Sequence, residues 1–275
     1  MGVASTDAVD FLHKLKKLKT VGDPETYARA KVKAERLLSR RNSEPLTAEA
    51  LMGGLDAKKV RDIRSRYGIE NPGIAWQKYV EFERWFSKYI TRAEDLGLDF
   101  GRRKRILDIG SGAGFFLYVC KKLGHDCVGL DFLEGEHPGS AEFFAEAFAL
   151  FGLPRVIWRI TAFVPLPDLG APFDLVTAFM INFDDPLKNR WKRAEWEFFM
   201  DDLQARMRPG GQVRLELNPG PGRQIFHTAV REFFEERGGI FEGPSRVTFG
   251  VDKDHYERLR RLIKEERRKA HQPAE

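Results

Sequence analysis

Cysteine is nearly absent. The 275 residues contain two, Cys120 and Cys127. Their spacing fits neither a C-x-x-C pair nor a zinc-ligand pattern. Both stand among apolar residues, so they read as buried free thiols. A disulfide framework is thereby excluded, and such low cysteine use suits a reducing, cytoplasmic setting. Long apolar runs are also missing. No segment approaches the ~18 residues of a membrane span. The opening "MGVASTDAVDFLHKLKKLKT" has no apolar stretch before its lysines, so it does not read as a secretory signal. Charge of one sign is lacking too. Lys and Arg number 46 against 41 Asp and Glu, a net +5, which falls short of the bias of a committed nucleic-acid binder. Aromatic residues are abundant. Twenty-two Phe, six Tyr and five Trp exclude a disordered chain and provide for a real core.

Residues 1–100 read as a helical extension. The spacing of apolar residues predicts helices in "DAVDFLHKLKKLK", "DPETYARAKVKAERLLSRR", "TAEALMGGL", "DAKKVRDIRSRYG" and, longest of all, "GIAWQKYVEFERWFSKYITRAEDLG". The aromatic stripe of the last, from Trp76 to Tyr89, suits either a cover over a substrate pocket or ordinary core packing. From residue 101 to 252 the texture changes. "RILDI", "DCVGLDF", "RVIWRI", "FDLVTAF" and "GGQVRLEL" read as strands separated by helices. That alternation means βαβ units and a parallel sheet. "GIFEG" and "SRVTFGV" lie too close together for a helical crossover and must pair antiparallel through Gly243-Pro244. Within this region a long helix is expected from Asp185-Pro186 to Met207, and another over "GRQIFHTAVREFFEERG". Residues 253–275 form a charged C-terminal tail with a thin apolar stripe, read as a surface helix or as an arm for phosphate or a partner.

The stretch "RILDIGSGAGFF" carries the chemistry. A dinucleotide fingerprint needs a third glycine at 115, where Phe115 stands. A phosphate-binding loop of the Gly-Lys-Ser/Thr type is missing as well. Gly110, Gly112 and Gly114 instead form G-x-G-x-G. Glycines there let the backbone approach a ligand closely, and the N–H groups of the following helix favour a carboxylate or phosphate. Asp108, two residues before Gly110, places a carboxylate beside the bend. Asp131 closes the next strand, 21 residues after Gly110, where a ribose-binding acid belongs, and its two oxygens suit a diol.

"LDIGSGAGFF", "GLDF", "LPDLGAPFDLVTAF", "ARMRPGGQVRLEL" and the closing strand pair occur in the order found in class I S-adenosylmethionine-dependent methyltransferases. Over roughly residues 70–252 the chain resembles that family. The resemblance implies a Rossmann-like, seven-stranded, mostly parallel sheet with an antiparallel last strand. It also implies S-adenosyl-L-methionine as cofactor. Gly110, Ser111, Gly112, Ala113 and Gly114 would line its methionine part, supported by Asp108. Asp131 would hold the ribose and Phe132 would pack on the adenine. Many members carry an acid after the third strand, and here that position is Ala162, beside Phe163, a departure from the pattern. Phe179 and Met180 would lie near the reacting methyl.

The candidates for a catalytic base are Asp184, in "MINFDDP", and His137. Asp185 reads as a helix cap. No complete metal-ligand set is present, and no metal is expected. The reading favoured is methyl transfer to an O or N atom of a small molecule. The alternative is RNA or protein as substrate, through the basic chain ends, although no RNA-binding module is recognisable. A non-catalytic scaffold of the same fold is the third reading. Neither the oligomeric state nor the acceptor is written in the sequence.

Overall fold

The computed structural model describes residues 23–38, 45–68, 76–132, 139–183, 190–218, 226, 228–251 and positions 254, 257, 258, 261, 262, 264, 265 and 268. They fall into two compact units. One draws on Met1–Leu46, Thr91–Arg102 and Val251–Glu275, the other on Thr47–Ile90 and Arg103–Gly250. This division differs from a boundary at residue 100, because the helices of residues 48–90 group with the sheet.

In the first unit, helix α1 (Pro24–Leu38) starts as the Asp23-Pro24 signal predicts. The Asp23 carboxylate accepts from the Glu25 N–H at 2.9 Å and the Thr26 N–H at 3.1 Å, which satisfies donors that a helix start leaves open. Val32 packs with Leu262 and Phe100. Arg261 pairs with Glu25 at 2.7 Å, Arg29 with Glu265, and Arg36 with Asp99 at 2.9 Å. The described tail positions between 254 and 268 are helical. Their stripe and their charges are therefore engaged by α1, which favours the helix over the free arm. The predicted helix at "DAVDFLHKLKKLK" lies outside the described residues.

In the second unit, Thr47 caps α2 (Ala48–Gly53) and Asp56 caps α3 (Ala57–Tyr67). The long aromatic helix is broken. A short 3-10 turn, Gln77–Val80, precedes α4 (Phe82–Asp95), with Glu81 between them at ψ 68. The indole N–H of Trp85 donates to Lys78 O at 2.7 Å and locks the break. Periodicity alone does not register such a side-chain bond to a backbone carbonyl.

The sheet contains β1 (Arg105–Ile109), β2 (Asp126–Asp131), β3 (Arg155–Ile157), β4 (Phe173–Ile181), β5 (Met207–Leu217), β6 (Ile240–Phe241) and β7 (Arg246–Phe249). Between them run α5 (Phe115–Lys122), α6 (Ser140–Phe151), α7 (Arg193–Ala205) and α8 (Thr228–Glu236). The strand order is β3-β2-β1-β4-β5-β7-β6. β7 runs antiparallel to both neighbours, and the other pairs are parallel. This is the seven-stranded Rossmann-like sheet with an antiparallel last strand. Three boundaries shift. β3 stops at Ile157, after which the Trp158 N–H donates to Asp131 O at 2.8 Å and the chain leaves the edge. α7 begins at Arg193, where Glu195 reaches back to the Lys192 N–H at 3.0 Å; the Asp185-Pro186 signal lies outside the described residues. α8 begins at Thr228 rather than near Gly222.

The two faces of the sheet differ. One buries Leu107, Ile109, Leu130, Val176 and Leu215 against Trp196, Phe199, Phe233 and Phe234 of α7 and α8. On the other, Phe115 meets Phe82, Phe86 and Phe151 at centroid distances of 5.2, 5.2 and 5.3 Å. The aromatic stripe of α4 is thus core packing. That face also carries a register row of polar residues, Asp108, Thr177, Arg214 and Thr248. Thr177 donates to Asp108 at 2.7 Å, and Arg214 to Thr248 at 3.0 Å and to Glu242 at 2.9 Å. Cys120 and Cys127 are buried free thiols; burial and the neighbouring Cys127 push Cys120 well above the ordinary thiol range. Among the described residues no helix is long and apolar enough to cross a membrane.

Phe115 packs among three buried rings, so Phe115→Ala should lower stability by about 3–5 kcal/mol through lost burial and the cavity left behind. The check is the free energy of urea unfolding; a loss below about 1 kcal/mol would contradict the packing.

Candidate functional site

In an open α/β sheet a crevice forms at the carboxyl ends of the strands where the strand order reverses. Here that place lies between β1 and β4, and the glycine bend leaves β1 there. Its three glycines take left-handed backbone angles, φ +67, +52 and +79 at Gly110, Gly112 and Gly114. The Gly110 N–H donates to Leu130 O at 2.8 Å and the Gly114 N–H to Ser111 O at 2.9 Å, after which α5 begins. The reason for glycine differs along the bend. A Cβ at Gly110 would lie 2.5 Å from Ile181 Cγ2, and one at Gly114 2.9 Å from Phe148 Cε2. At Gly112 a Cβ would meet nothing within 4 Å. Gly110 and Gly114 therefore serve packing, while Gly112 opens onto free space, as a close ligand approach requires.

Asp131 ends β2 beside this opening. Its Oδ2 accepts from the Gly112 N–H at 2.7 Å and its Oδ1 from the Phe132 N–H at 2.9 Å. The Arg155 guanidinium stands 3.7 Å from Oδ2. Burial pushes the Asp131 carboxyl above the ordinary range, and Arg155 and the two N–H groups pull against it. Asp108 is buried within β1 and tied to Thr177; Ser111 and Ala113 are buried under the bend.

The structure thus brings Asp108, the bend from Gly110 to Gly114, Asp131 and Phe132 to one end of the sheet. Of the remaining candidates, Phe179 lies near the end of β4, and Ala162 and Phe163 lie in the segment after β3. Ala162 packs against the core. The Phe163 ring lies 5.9 Å from Phe198 of the α7 helix and stays 54% exposed. Phe179 is buried with its ring 4.9 Å from Phe116. Asp184, Asp185 and His137 lie outside the described residues. Arg155 escaped sequence reasoning, since a basic residue opening an apolar strand looks like a solvated end. The signal that could have found it is Gly129, its register partner two residues before Asp131.

Among the described residues the exposed large apolar side chains are Phe132, Ile157, Trp158, Phe163, Val164 and Met180. Phe132, Ile157, Trp158 and Met180 lie at or next to the carboxyl ends of β2, β3 and β4, and Phe163 and Val164 in the segment that follows β3. Apolar side chains gathered in this way at a sheet's binding edge form a rim suited to a flat, partly apolar ligand.

No family model matches the chain, and no curated protein matches it. Solved structures similar to it include the ribosomal protein L11 methylase of Lactobacillus delbrueckii subsp. bulgaricus, at 16% identity over 62% of this chain and 76% of that one, with a TM-score of 0.37. A TehB-like S-adenosylmethionine-dependent methyltransferase from Corynebacterium glutamicum is 17% identical, covering 63% and 96%, with a TM-score of 0.39. CalS10 from Micromonospora echinaspora, an amino pentose methyltransferase in its cofactor-bound form, is 23% identical, covering 56% and 61%, with a TM-score of 0.35.

The three glycines should separate in stability. Gly112→Ala should cost only the left-handed backbone, about 1–2 kcal/mol. Gly110→Ala and Gly114→Ala add a collision and should cost more. Urea unfolding of the three variants checks the order, and an equal loss at all three would contradict it.

Proposed function

We propose that the protein is an S-adenosylmethionine-dependent methyltransferase that methylates an O or N atom of a small molecule. The observation that carries this reading is the open space at Gly112, directly beside a carboxylate that is already oriented. Each Asp131 oxygen accepts one backbone N–H and keeps a further lone pair, so the pair suits the two hydroxyls of a ribose. The bend and the start of α5 suit the methionine end. Phe132, exposed and covered on one side by Arg159 at 4.9 Å, offers a ring face for adenine. The cofactor, when bound, supplies a methyl group on an electrophilic sulfonium. The task left to the chain is to align the acceptor and exclude water. The apolar rim, with Met180 at the end of β4, supports a small and partly apolar substrate. Asp184 and His137 stay candidates for taking a proton from the acceptor.

S-adenosylhomocysteine should bind the wild-type chain in calorimetric titration. Asp131→Ala should weaken that binding by about 1–3 kcal/mol through the lost charged hydrogen bonds. Failure of the wild-type chain to bind would overturn the proposal, and unchanged affinity in the variant would remove Asp131 from the ribose. The RNA alternative predicts association that falls steeply with salt, whereas a small-molecule enzyme should show no such RNA binding.

A further inference from the structure

Arg155 is a buried cation that the assigned roles do not use. Its side chain is 8% exposed. Its Nε and Nη2 find no hydrogen-bond partner among the described residues. Burying a guanidinium with idle donors is costly, and an apolar residue of similar size would often be neutral or better for stability. The surroundings nevertheless make room for it. Its register partner is Gly129, where a Cβ would lie 2.7 Å from Phe148 Cζ and 2.8 Å from Ser111 Oγ. The absent side chain admits Phe148, and the guanidinium of Arg155 lies 5.2 Å from the centre of that ring. From this seat it faces Asp131 at 3.7 Å.

We propose that Arg155 is a positioning residue for the cofactor, its guanidinium holding the Asp131 carboxylate ionised and oriented for the ribose diol. This rests on the methyltransferase reading of the site. A buried carboxyl tends to keep its proton, and a protonated Asp131 would lose acceptor capacity toward both Gly112 and a sugar. Arg155 opposes that tendency from β3. The glycine bend brings only the Gly112 N–H, and the exit from β2 brings the Phe132 N–H, with Arg159 beyond it over the Phe132 ring. From α6 comes the uncharged Phe148. Glu134, Glu136 and His137 follow in the chain, outside the described residues. The direction for pH follows. The raised Asp131 value means that its protonated form gains on folding, so its contribution to stability is present at low pH and lost as pH rises through that value. Cofactor binding runs the other way, strengthening as the carboxylate forms.

The test is a carbon-13 titration of the Asp131 carboxyl in the full chain, assigned with Asp131→Asn. It runs beside calorimetry of S-adenosylhomocysteine at several pH values. Arg155→Met should raise the Asp131 midpoint by about one pH unit or more, the usual reach of a neighbouring opposite charge. Its affinity should then fall about tenfold more than that of wild type on acidification. Arg155→Lys should restore most of both. Should Arg155→Met not fold, Arg155→Gln is read in the same way. A merely structural role would lower affinity equally at every pH. That result, or an unmoved midpoint, overturns the proposal. A shifted midpoint in a chain that binds no S-adenosylhomocysteine overturns the methyltransferase reading, and with it the role in cofactor binding, while leaving the ion pair intact.

Discussion

One hydrogen bond, from the Gly112 N–H to the Asp131 carboxylate at 2.7 Å, fixes the ends of two neighbouring strands to each other. The rest of the binding edge depends on it. The chain must pass from β1 into α5 within a few residues, through three left-handed backbone positions. Such positions are disfavoured for L side chains, and an unanchored bend of this kind would be mobile. Held at Leu130 O and at Asp131, it delivers α5 at a defined angle, so that Phe115 enters the ring cluster with Phe82, Phe86 and Phe151. Local geometry at the site and packing of the core are thus one constraint. A change that loosens the bend also loosens the aromatic layer.

The same coupling explains why the two faces of the sheet are built differently. The face toward α7 and α8 buries an apolar cluster that packs the two helices onto the sheet. The face toward α5 carries Asp108, Thr177, Arg214 and Thr248 in one row across four strands. Buried polar groups are tolerated only when their hydrogen bonds are met. The row meets several of them internally, through Thr177 to Asp108 and through Arg214 to Thr248 and Glu242. A satisfied network of this kind fixes strand register, because a slip of one residue would send every polar group into the apolar face. The register in turn sets where Asp108 and Asp131 end, and so where the bend begins.

The mostly parallel sheet, its closing hairpin and the bend were legible in the sequence because they depend on short-range signals. Hydrophobic runs divided by helices predict a parallel sheet, and the close spacing of β6 and β7 leaves only a hairpin. What was not legible depends on which partner a side chain finds once the chain is folded. The break at Glu81 comes from an indole bond to Lys78 O, set in a stripe whose periodicity continues undisturbed. The C-terminal tail was open between a surface helix and an arm for phosphate or a partner, because its acids and bases find their partners more than 200 positions away, on α1. Arg214 and Glu216, charged residues of β5, are both buried. Arg155 looked like a solvated strand end. Charge in a sequence says that a partner is needed and does not say which. Within the bend, glycine at 110, 112 and 114 looked uniform, while the structure gives two of them to packing and one to open space.

Backbone strain supplies an independent line of reasoning about the binding edge. Phe163 and Met180 adopt φ of +59 and +57 without being glycine. Such conformations cost on the order of 1–3 kcal/mol and persist where the surrounding structure enforces them, often at ligand sites. Both residues expose their apolar side chains, at 54% and 42%; Met180 is the penultimate residue of β4, and Phe163 lies in the segment that follows β3. At Met180 the register between β4 and β5 shifts between Phe179 and Ile181, so the strained residue bulges out between a buried Phe179 and a half-buried Ile181. A chain selected only for stability would place glycine or asparagine at such angles and turn large apolar groups inward. Holding them outward is costly twice, in conformation and in hydration. A ligand that covered them would recover about 25 cal/mol for each Å² of apolar surface removed from water. The strain therefore argues that this rim is shaped for something that binds there, on grounds that owe nothing to the glycine motif.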